Sequence, residues 1–239
     1  MKTLLGTWLS IGSSIIAEIA AEAGFDWLLF DLEHGCGDET MLLTQFQATR
    51  GTAAKKIVRV GYPHPDLILR ALDLGADGLM IPRVNTVEEA EAAVQAAHYA
   101  PRGRRGVART VRTHCYGLRP ASPDAPPFEP FILAQIETVE GVANASAIAA
   151  VDGISALFIG PADLNYDLKA RGSERSYDEC LRSVSASASA AGKPCGILLR
   201  QPADLPKHEA LGYQWIAIDS DIGILRESFV RLRAAVPVG

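Results

Sequence analysis

One pattern recurs eight times along the chain: a short, almost continuous apolar run is followed by a longer segment with helical periodicity. The apolar runs occupy residues 4–9, 27–31, 56–60, 78–82, 131–137, 156–160, 194–200 and 215–220. Apolar runs without polar alternation are typical of parallel strands that are covered on both faces. Eight such strands, each followed by helix, predict an α/β fold of the (β/α)8 type, a TIM barrel.

An open, doubly wound sheet is the alternative interpretation of alternating strands and helices. Its usual glycine fingerprint, G-x-G-x-x-G after the first strand, is missing. The 239 residues are within the range of one barrel. The one long interruption, residues 100–130, is rich in Pro, Gly and Arg and follows the helix after the fourth strand, so we interpret it as a loop insertion. We therefore predict a single domain over residues 1–239 whose last helix spans about 221–235.

Composition excludes several classes of function. The net charge of -5, with basic residues clustered only in the 102–112 loop, predicts no nucleic-acid partner. No apolar run reaches the ~18 residues needed to span a bilayer, and no signal peptide is recognisable, so we expect no membrane partner. The four cysteines are scattered without CxxC spacing, which is typical of reduced thiols and predicts a cytoplasmic location.

Polar and acidic residues gather at the carboxyl ends of the predicted strands, where barrels of this type place their functional groups. These residues are Asp31, Glu33 and His34 after strand 2, Arg59 in strand 3, Gln135 and Glu137 at the end of strand 5, residues 160–163 (GPAD) after strand 6, and Asp219 and Asp221 at the end of strand 8. A single acidic strand end is most often a helix N-cap. Several on one rim indicate a site.

Gln135 and Glu137 are two residues apart on a strand, so both point to the same side, whereas Ile136 points to the helices. A buried carboxylate needs a partner. A divalent metal shared with Asp163 on the next strand is one solution, and two carboxylates with water and substrate oxygens suit Mg²⁺ or Mn²⁺. An ion pair between arginine and the carboxylate explains the same residues equally well, so both interpretations stay open here.

The histidines show no HExxH-like spacing and the cysteines no zinc pattern, which argues against a zinc site. His98 and His208 lie in predicted helices and are expected at the surface. His34 directly follows a strand end beside two acids. Because imidazole changes its charge near neutral pH, His34 is the best candidate for a general base.

A Schiff-base mechanism needs a desolvated lysine inside the barrel. Lys55, Lys56 and Lys193 stand at the starts of strands, at the wrong end. Only Lys169 is expected near the rim, in a loop, and a mobile loop is a poor place for such a lysine. The lysine pattern therefore favours a metal-dependent reaction.

Three long boxes follow a known pattern: AEIAAEAGFDWLLFDLEH (17–34), ALDLGADGLMIPRVNTVEEAEAAV (71–94) and QIETVEGVANASAIAAVDGISALFIGPADL (135–164). On these boxes the chain resembles, over nearly its whole length, the HpcH/HpaI aldolases. These are metal-dependent class II pyruvate aldolases of the 2-keto-3-deoxy acid or 4-hydroxy-2-oxo-heptanedioate type. QIET followed by GPADL at this separation is the most specific part. The resemblance implies a barrel of the phosphoenolpyruvate/pyruvate-binding type.

The resemblance also implies roles for individual residues. Glu137 and Asp163 would ligate a divalent metal, Mg²⁺ or Mn²⁺ with Co²⁺ as an alternative, and no organic cofactor would be needed. His34 would act as base on the methyl group, Arg59 would stabilise the developing enolate, and Asp73, by sequence only an ordinary helix-end residue, would orient His34. The substrate would bind Arg59, Gln135, Gly160, Pro161, Ala162 and Asp163. Asp31 and Glu33 would not ligate the metal themselves but would hold the groups that surround it.

The implied reaction is the reversible cleavage of a 4-hydroxy-2-keto acid to pyruvate and an aldehyde through a metal-bound enolate. The main rival within the superfamily is a carbon–carbon lyase acting on a CoA thioester such as citramalyl-CoA. The DLEH histidine and the absence of an obvious CoA-binding extension favour the aldolase. A rival from another class is a non-catalytic barrel that binds keto acids.

The chain departs from the family pattern at Lys169, Asp219 and Asn165, and its segment 118–130 is proline-rich and short. All four departures are expected where the aldehyde would enter, so they bear on aldehyde specificity and leave the metal site intact. Relatives assemble as homohexamers in which a C-terminal helix packs on a neighbouring barrel. Residues 221–235 are expected to do the same.

Overall fold

The structure is a computed structural model, and it describes residues 2–118 and 128–236. Its centre is a closed barrel of eight parallel strands in chain order. The strands are β1 (Leu4–Leu9), β2 (Trp27–Asp31), β3 (Lys55–Arg59), β4 (Gly78–Ile81), β5 (Phe131–Ile136), β6 (Ala156–Ile159), β7 (Cys195–Leu199) and β8 (Tyr213–Ser220). The predicted (β/α)8 barrel is confirmed, and β1 pairs with β8 to close it, which excludes the open sheet.

Helices follow the strands around the outside. They are α1 (Ser14–Glu22), α2 (Glu39–Ala48), α3 (Pro65–Asp73), α4 (Val87–Ala97), α5 (Val139–Ala150), α6 (Pro161–Ala170), α7 (Tyr177–Ala190), α8 (Leu205–Ala210) and α9 (Asp221–Ala234). Thr86 and Glu89 form the capping box predicted for α4. Helix α6 was not predicted from the sequence, and Lys169 lies in its last turn, not in a loop. Pro161 occupies the first position of this helix, where proline is tolerated because its missing N–H would have no partner in the helix.

Large side chains fill the lower part of the barrel interior. Trp27 contacts Phe158 and Trp215, with ring centroids 6.1 Å and 5.4 Å apart, and Phe131 stacks on Trp215 at 4.3 Å. Gly6 leaves room for this cluster, because a Cβ there would collide with the Trp27 indole. The filled lower layers confine any ligand to the upper rim.

Side-chain alternation then decides what reaches that rim. Counting in steps of two from the apolar interior residues of β2, β3, β5, β7 and β8 leads to Asp31, Arg59, Gln135, Arg200 and Asp219. These five residues form the uppermost inward layer of their strands. The polar rim is therefore a direct consequence of strand register.

Two histidine predictions are wrong. His98 and His208, expected at the surface, are only 5% and 7% exposed. His98 bonds through Nδ1 to the Val94 carbonyl and through Nε2 to Glu129, and His208 bonds through Nδ1 to a backbone carbonyl. These partners could not be predicted from helical position alone. Their hydrogen bonds offset the free-energy cost of removing a polar ring from water.

Of the loop insertion, residues 119–127 lie outside the described part, so the prediction about segment 118–130 is not addressed there. Within the described ranges, a short 3-10 segment (Arg112–Gly117) begins at the last of the basic residues and is interrupted by non-helical backbone at residues 114–116. No helix in those ranges is long and apolar enough to cross a membrane.

Candidate active site

A cavity of about 520 Å³ opens at the carboxyl ends of the strands. Its volume is in the range of small-molecule sites. Its polar lining comprises Ser10, Asp31, His34, Arg59, Gln135, Asp163, Arg200, Ser220, Arg226 and Glu227, together with the backbone of residues 160–162. No lysine lines it. Lys193 bonds the Val151 carbonyl and Lys56 pairs with Asp77, and both lysines border strand starts at the opposite end.

Arg59 is held rigidly beneath this cavity by two acids. Its guanidinium donates to both oxygens of Asp31, at 2.9 and 2.8 Å, and its Nη1 lies 2.9 Å from Glu33 Oε2. Asp31 and Arg59 are direct neighbours in the β2–β3 ladder, which fixes this fork-to-fork geometry. Trp8 supports the cation from one side, with its ring centroid 4.4 Å from the guanidinium carbon. A fixed, buried positive charge therefore faces the cavity.

Glu137 is almost fully buried just beyond the end of β5. Its Oε1 accepts a hydrogen bond from the Arg83 backbone N–H at 2.8 Å, and Arg83 has a positive φ of 53°. Burial first, then the negative charges of Asp163 and Glu33, raise the pKa of Glu137 to about 7. Among the described residues no arginine forms an ion pair with Glu137. The ion-pair interpretation of this carboxylate is therefore not supported.

The loop from β6 into α6 completes the same corner. A Cβ at Gly160 would collide with the Glu137 and Gln135 side chains, so glycine makes their close approach feasible. Asp163 lies in the first turn of α6, and residues 160–163 at the start of that helix line the cavity. Gln135 Oε1 is buried without a hydrogen-bond partner among the described residues, which is unusual for an amide oxygen.

A divalent cation fits these residues. Burial and then the neighbouring charge of Asp163 raise the pKa of the Glu137 carboxyl. The buried Gln135 amide oxygen beside it has no hydrogen-bond partner among the described residues, so positive charge would be stabilised in this corner. In the described residues no cluster of three or more His, Cys, Asp or Glu side chains is placed to hold a metal. Two protein carboxylates with water and substrate oxygens are the environment that Mg²⁺ accepts, whereas structural zinc needs more protein ligands.

The structure does not bring His34 and Asp73 together. The His34 side chain is 61% exposed at the cavity edge, with Nε2 at 3.8 Å from Glu33. Asp73, at the end of α3, accepts a 2.7 Å hydrogen bond from the buried Arg105. No hydrogen bond or ion pair joins His34 to Asp73 in the part of the chain that is described. Within the described residues each side chain therefore has a different neighbour, and the orienting role of Asp73 stays a prediction.

Three further residues at the site were missed by the sequence analysis. Trp8 underlies Arg59, the Arg83 amide holds Glu137, and Arg200 lines the cavity wall. Arg200 had a usable signal, because it continues the inward alternation of Gly196 and Leu198 along β7. The Arg83 amide had none, since a backbone donor at positive φ is not encoded by residue type.

The chain is similar to known proteins along almost its whole length. A family profile described as HpcH/HpaI aldolase/citrate lyase matches residues 4–228. A relative from Salmonella gallinarum named 5-keto-4-deoxy-D-glucarate aldolase is 38% identical over 230 residues, which cover 95% of this chain and 90% of the relative.

Solved structures agree. An HpcH/HpaI aldolase/citrate lyase family protein from Burkholderia cenocepacia J2315 superposes with a TM-score of 0.89 at 34% identity, covering 98% of this chain and 94% of that one. An HpcH/HpaI aldolase from Desulfitobacterium hafniense DCB-2 superposes with a TM-score of 0.84 at 28% identity, covering 99% and 94%.

Proposed function

This chain belongs to the HpcH/HpaI aldolase/citrate lyase family and is a carbon–carbon lyase, and from that premise we propose that it is a divalent-metal-dependent class II aldolase. Its substrates are 4-hydroxy-2-keto acids, which it cleaves reversibly to pyruvate and an aldehyde. The observation that carries this proposal is the corner of Glu137, Asp163 and Gln135 beside the N-terminus of α6. A cation and a keto acid could bind side by side at this corner.

The residues divide the work of binding. The backbone N–H groups of Ala162 and Asp163 at the start of α6 receive the substrate carboxylate, because a helix N-terminus carries unsatisfied donors and partial positive charge. Pro161 has no N–H, and the Gly160 N–H donates to the Ile136 carbonyl. Gln135 lies beside them, within reach of the keto oxygen. Arg59 presents its fixed charge where negative charge develops on that oxygen, so little reorganisation is needed during the reaction.

When bound by Glu137 and Asp163, Mg²⁺ or Mn²⁺, or Co²⁺ in their place, supplies Lewis-acid stabilisation of the same developing charge. Asp31 and Glu33 orient Arg59 from behind. No organic cofactor is required by this scheme.

His34 moves the proton in this proposal. In the synthesis direction it removes a proton from the methyl carbon, whose new electron pair forms the bond to the aldehyde carbon. In cleavage the 4-hydroxyl gives its proton to water, and the C3–C4 bond breaks with its electron pair passing to C3 and the adjoining keto group. The aldehyde leaves, and His34, protonated from water, gives a proton to the former C3. Its exposed ring at the cavity edge leaves it free to exchange that proton with water.

The substrate is proposed to be an acid of the kind named for the relatives, 5-keto-4-deoxy-D-glucarate. Release of pyruvate from this acid by purified protein with Mn²⁺ tests the assignment. The aldolase is preferred to a CoA-thioester lyase because the similar relatives are named as aldolases that act on a free keto acid. A non-catalytic barrel is inconsistent with the family's carbon–carbon lyase chemistry.

Replacing His34 with Ala is expected to slow exchange of the pyruvate methyl protons in D2O by roughly 10²- to 10⁴-fold, the usual contribution of a positioned base. Mn²⁺ affinity is expected to stay unchanged, because His34 lies at the cavity edge and not in the Glu137 corner. His64→Asn is the matched control: it preserves a helix-cap side chain at α3 and lies outside the cavity lining. Unaltered exchange in His34→Ala would remove His34 from the mechanism.

We further propose that α9 packs against another copy of the chain, as expected for a homohexamer. The helix exposes the apolar side chains Ile222, Ile224, Leu225, Phe229, Val230 and Leu232. Four of them, Ile222, Leu225, Phe229 and Leu232, recur at spacings of three and four residues and so share one side of the helix. An exposed apolar face of this kind is typical of an interface. Light scattering is expected to show an oligomer that Phe229→Glu dissociates, and a monomeric parent protein would contradict this.

Location is proposed from the thiols alone. All four cysteines are unpaired in the structure, which favours a reducing compartment such as the cytoplasm.

A further inference from the structure

A second arginine–aspartate pair occupies the same rim at the ends of β7 and β8. Arg200 directly follows β7 and Asp219 is the last inward-facing residue of β8, so the two stand side by side on neighbouring strands. Arg200 Nη1 donates to Asp219 Oδ1 at 3.0 Å. Arg200 lines the same cavity as His34, Arg59 and Asp163.

The two arginines differ in how many of their guanidinium nitrogens are engaged by neighbouring side chains. Arg59 is buried, donates from Nε and Nη2 to Asp31, and has its Nη1 at 2.9 Å from Glu33. Arg200 is 63% exposed at its side chain, and within the described residues its only hydrogen bonds run from Nη1, to Asp219 and, at 3.5 Å, to the Ser220 hydroxyl. Nε and Nη2 therefore remain available to a ligand. A planar fork of this kind suits a carboxylate.

The backbone is built around the Asp219 carboxylate. Asp219 has a φ of 50°, in the left-handed region that few side chains tolerate. A Cβ at Gly223, in the first turn of α9, would collide with that carboxylate. The carboxylate thus occupies space that only glycine at 223 leaves open. An acid held in this way fixes the position of Arg200 over the cavity.

We propose that Arg200, positioned by Asp219, binds the carboxylate at the far end of the substrate and so selects 2-keto acids that carry a second terminal carboxylate. The inference rests on the proposed function, which places the pyruvate half at Glu137, Asp163 and the start of α6. The aldehyde half then extends over the remaining cavity wall, which Arg200 forms. Arg200 is the specificity-determining residue, and Asp219 acts through it.

The test compares two substrates that differ only in the far end. One is 5-keto-4-deoxy-D-glucarate, and the other is the otherwise identical acid with a terminal hydroxymethyl group. Arg200→Gln is expected to lower kcat/KM for the dicarboxylate roughly 10- to 100-fold, as for loss of a hydrogen bond to a charged group. It is expected to change kcat/KM for the hydroxymethyl acid less than about threefold. Arg182→Gln, an exposed arginine at the opposite end of the barrel, is the matched control.

Asp219→Asn keeps a residue type tolerated at positive φ and removes the anchor of Arg200. It is expected to raise KM for the dicarboxylate with kcat nearly unchanged, because it weakens binding and not the chemistry. A merely structural role would alter both substrates alike.

The possible results distinguish failure of the role of Arg200 from failure of the proposed aldolase function. Equal losses for both acids in Arg200→Gln, no loss for either, or a parent protein that prefers the hydroxymethyl acid overturns the role of Arg200. Each of those results leaves the aldolase intact if the parent protein still exchanges the methyl protons of pyruvate in D2O. Absence of that exchange in the parent protein overturns the proposed function, and the role of Arg200 falls with it.

Discussion

Replacing Glu137 with Gln is expected to abolish tight Mn²⁺ binding and to lower pyruvate release by at least ~10³-fold, because one of two protein carboxylates that hold the metal is lost. The amide oxygen of glutamine still accepts the hydrogen bond from the Arg83 backbone N–H, so the local geometry is preserved. Titration calorimetry with Mn²⁺ and a coupled assay for pyruvate measure the two effects.

The same variant has a stability signature with a definite sign. The folded-state pKa of Glu137, about 7, is above its ordinary value. Ionising this group therefore costs folding free energy as the pH rises through 7. The neutral glutamine removes that cost. At pH 8, with the metal removed from both proteins by a chelator, the variant is therefore expected to have a melting temperature no lower than that of the parent protein.

Glu140→Gln, an exposed acid in the first turn of α5, is the matched control and is expected to retain affinity and activity. Full Mn²⁺ affinity in Glu137→Gln would show that the metal is held elsewhere. A large fall in melting temperature would show that the loss of activity reflects unfolding.

Replacing Asp73 with Asn is expected to destabilise the fold by about 3 kcal/mol, the usual cost of leaving one partner of a buried ion pair uncompensated. Arg105, its partner, is only 1% exposed at the side chain and lies over the Tyr99 ring. Urea denaturation of the two proteins measures the difference.

Asp66→Asn, on the same helix with an 85% exposed carboxylate, is the matched control and is expected to leave stability nearly unchanged. The family resemblance assigned Asp73 a different task, orienting His34. If Asp73→Asn kept the parent stability but shifted the pH–rate profile of pyruvate proton exchange, the structural role would be wrong and the orienting role correct.

The barrel follows from the sequence because its strands are long apolar runs with helix signals between them. Register then carries Asp31, Arg59 and Gln135 to one rim without further information. The placement of Glu137 and Asp163 near each other follows in the same way, from two neighbouring strand ends.

The partners of these residues were harder to predict, because they depend on contacts between distant segments. Asp31 and Glu33 both turn to Arg59, and Asp73 turns to Arg105 from the loop insertion. Each pairing is one of several that opposite charges allow, and only packing decides among them. The burial of His98 and His208 has the same cause, since it depends on distant or main-chain acceptors.

The most direct test of metal-dependent aldol cleavage is pyruvate release from 5-keto-4-deoxy-D-glucarate by protein stripped with a chelator, assayed with and without added Mn²⁺. The stripped protein is expected to be inactive, and Mn²⁺ is expected to restore release in proportion to the occupancy of the Glu137–Asp163 site. Equal rates of pyruvate release with and without the metal would contradict the proposed function.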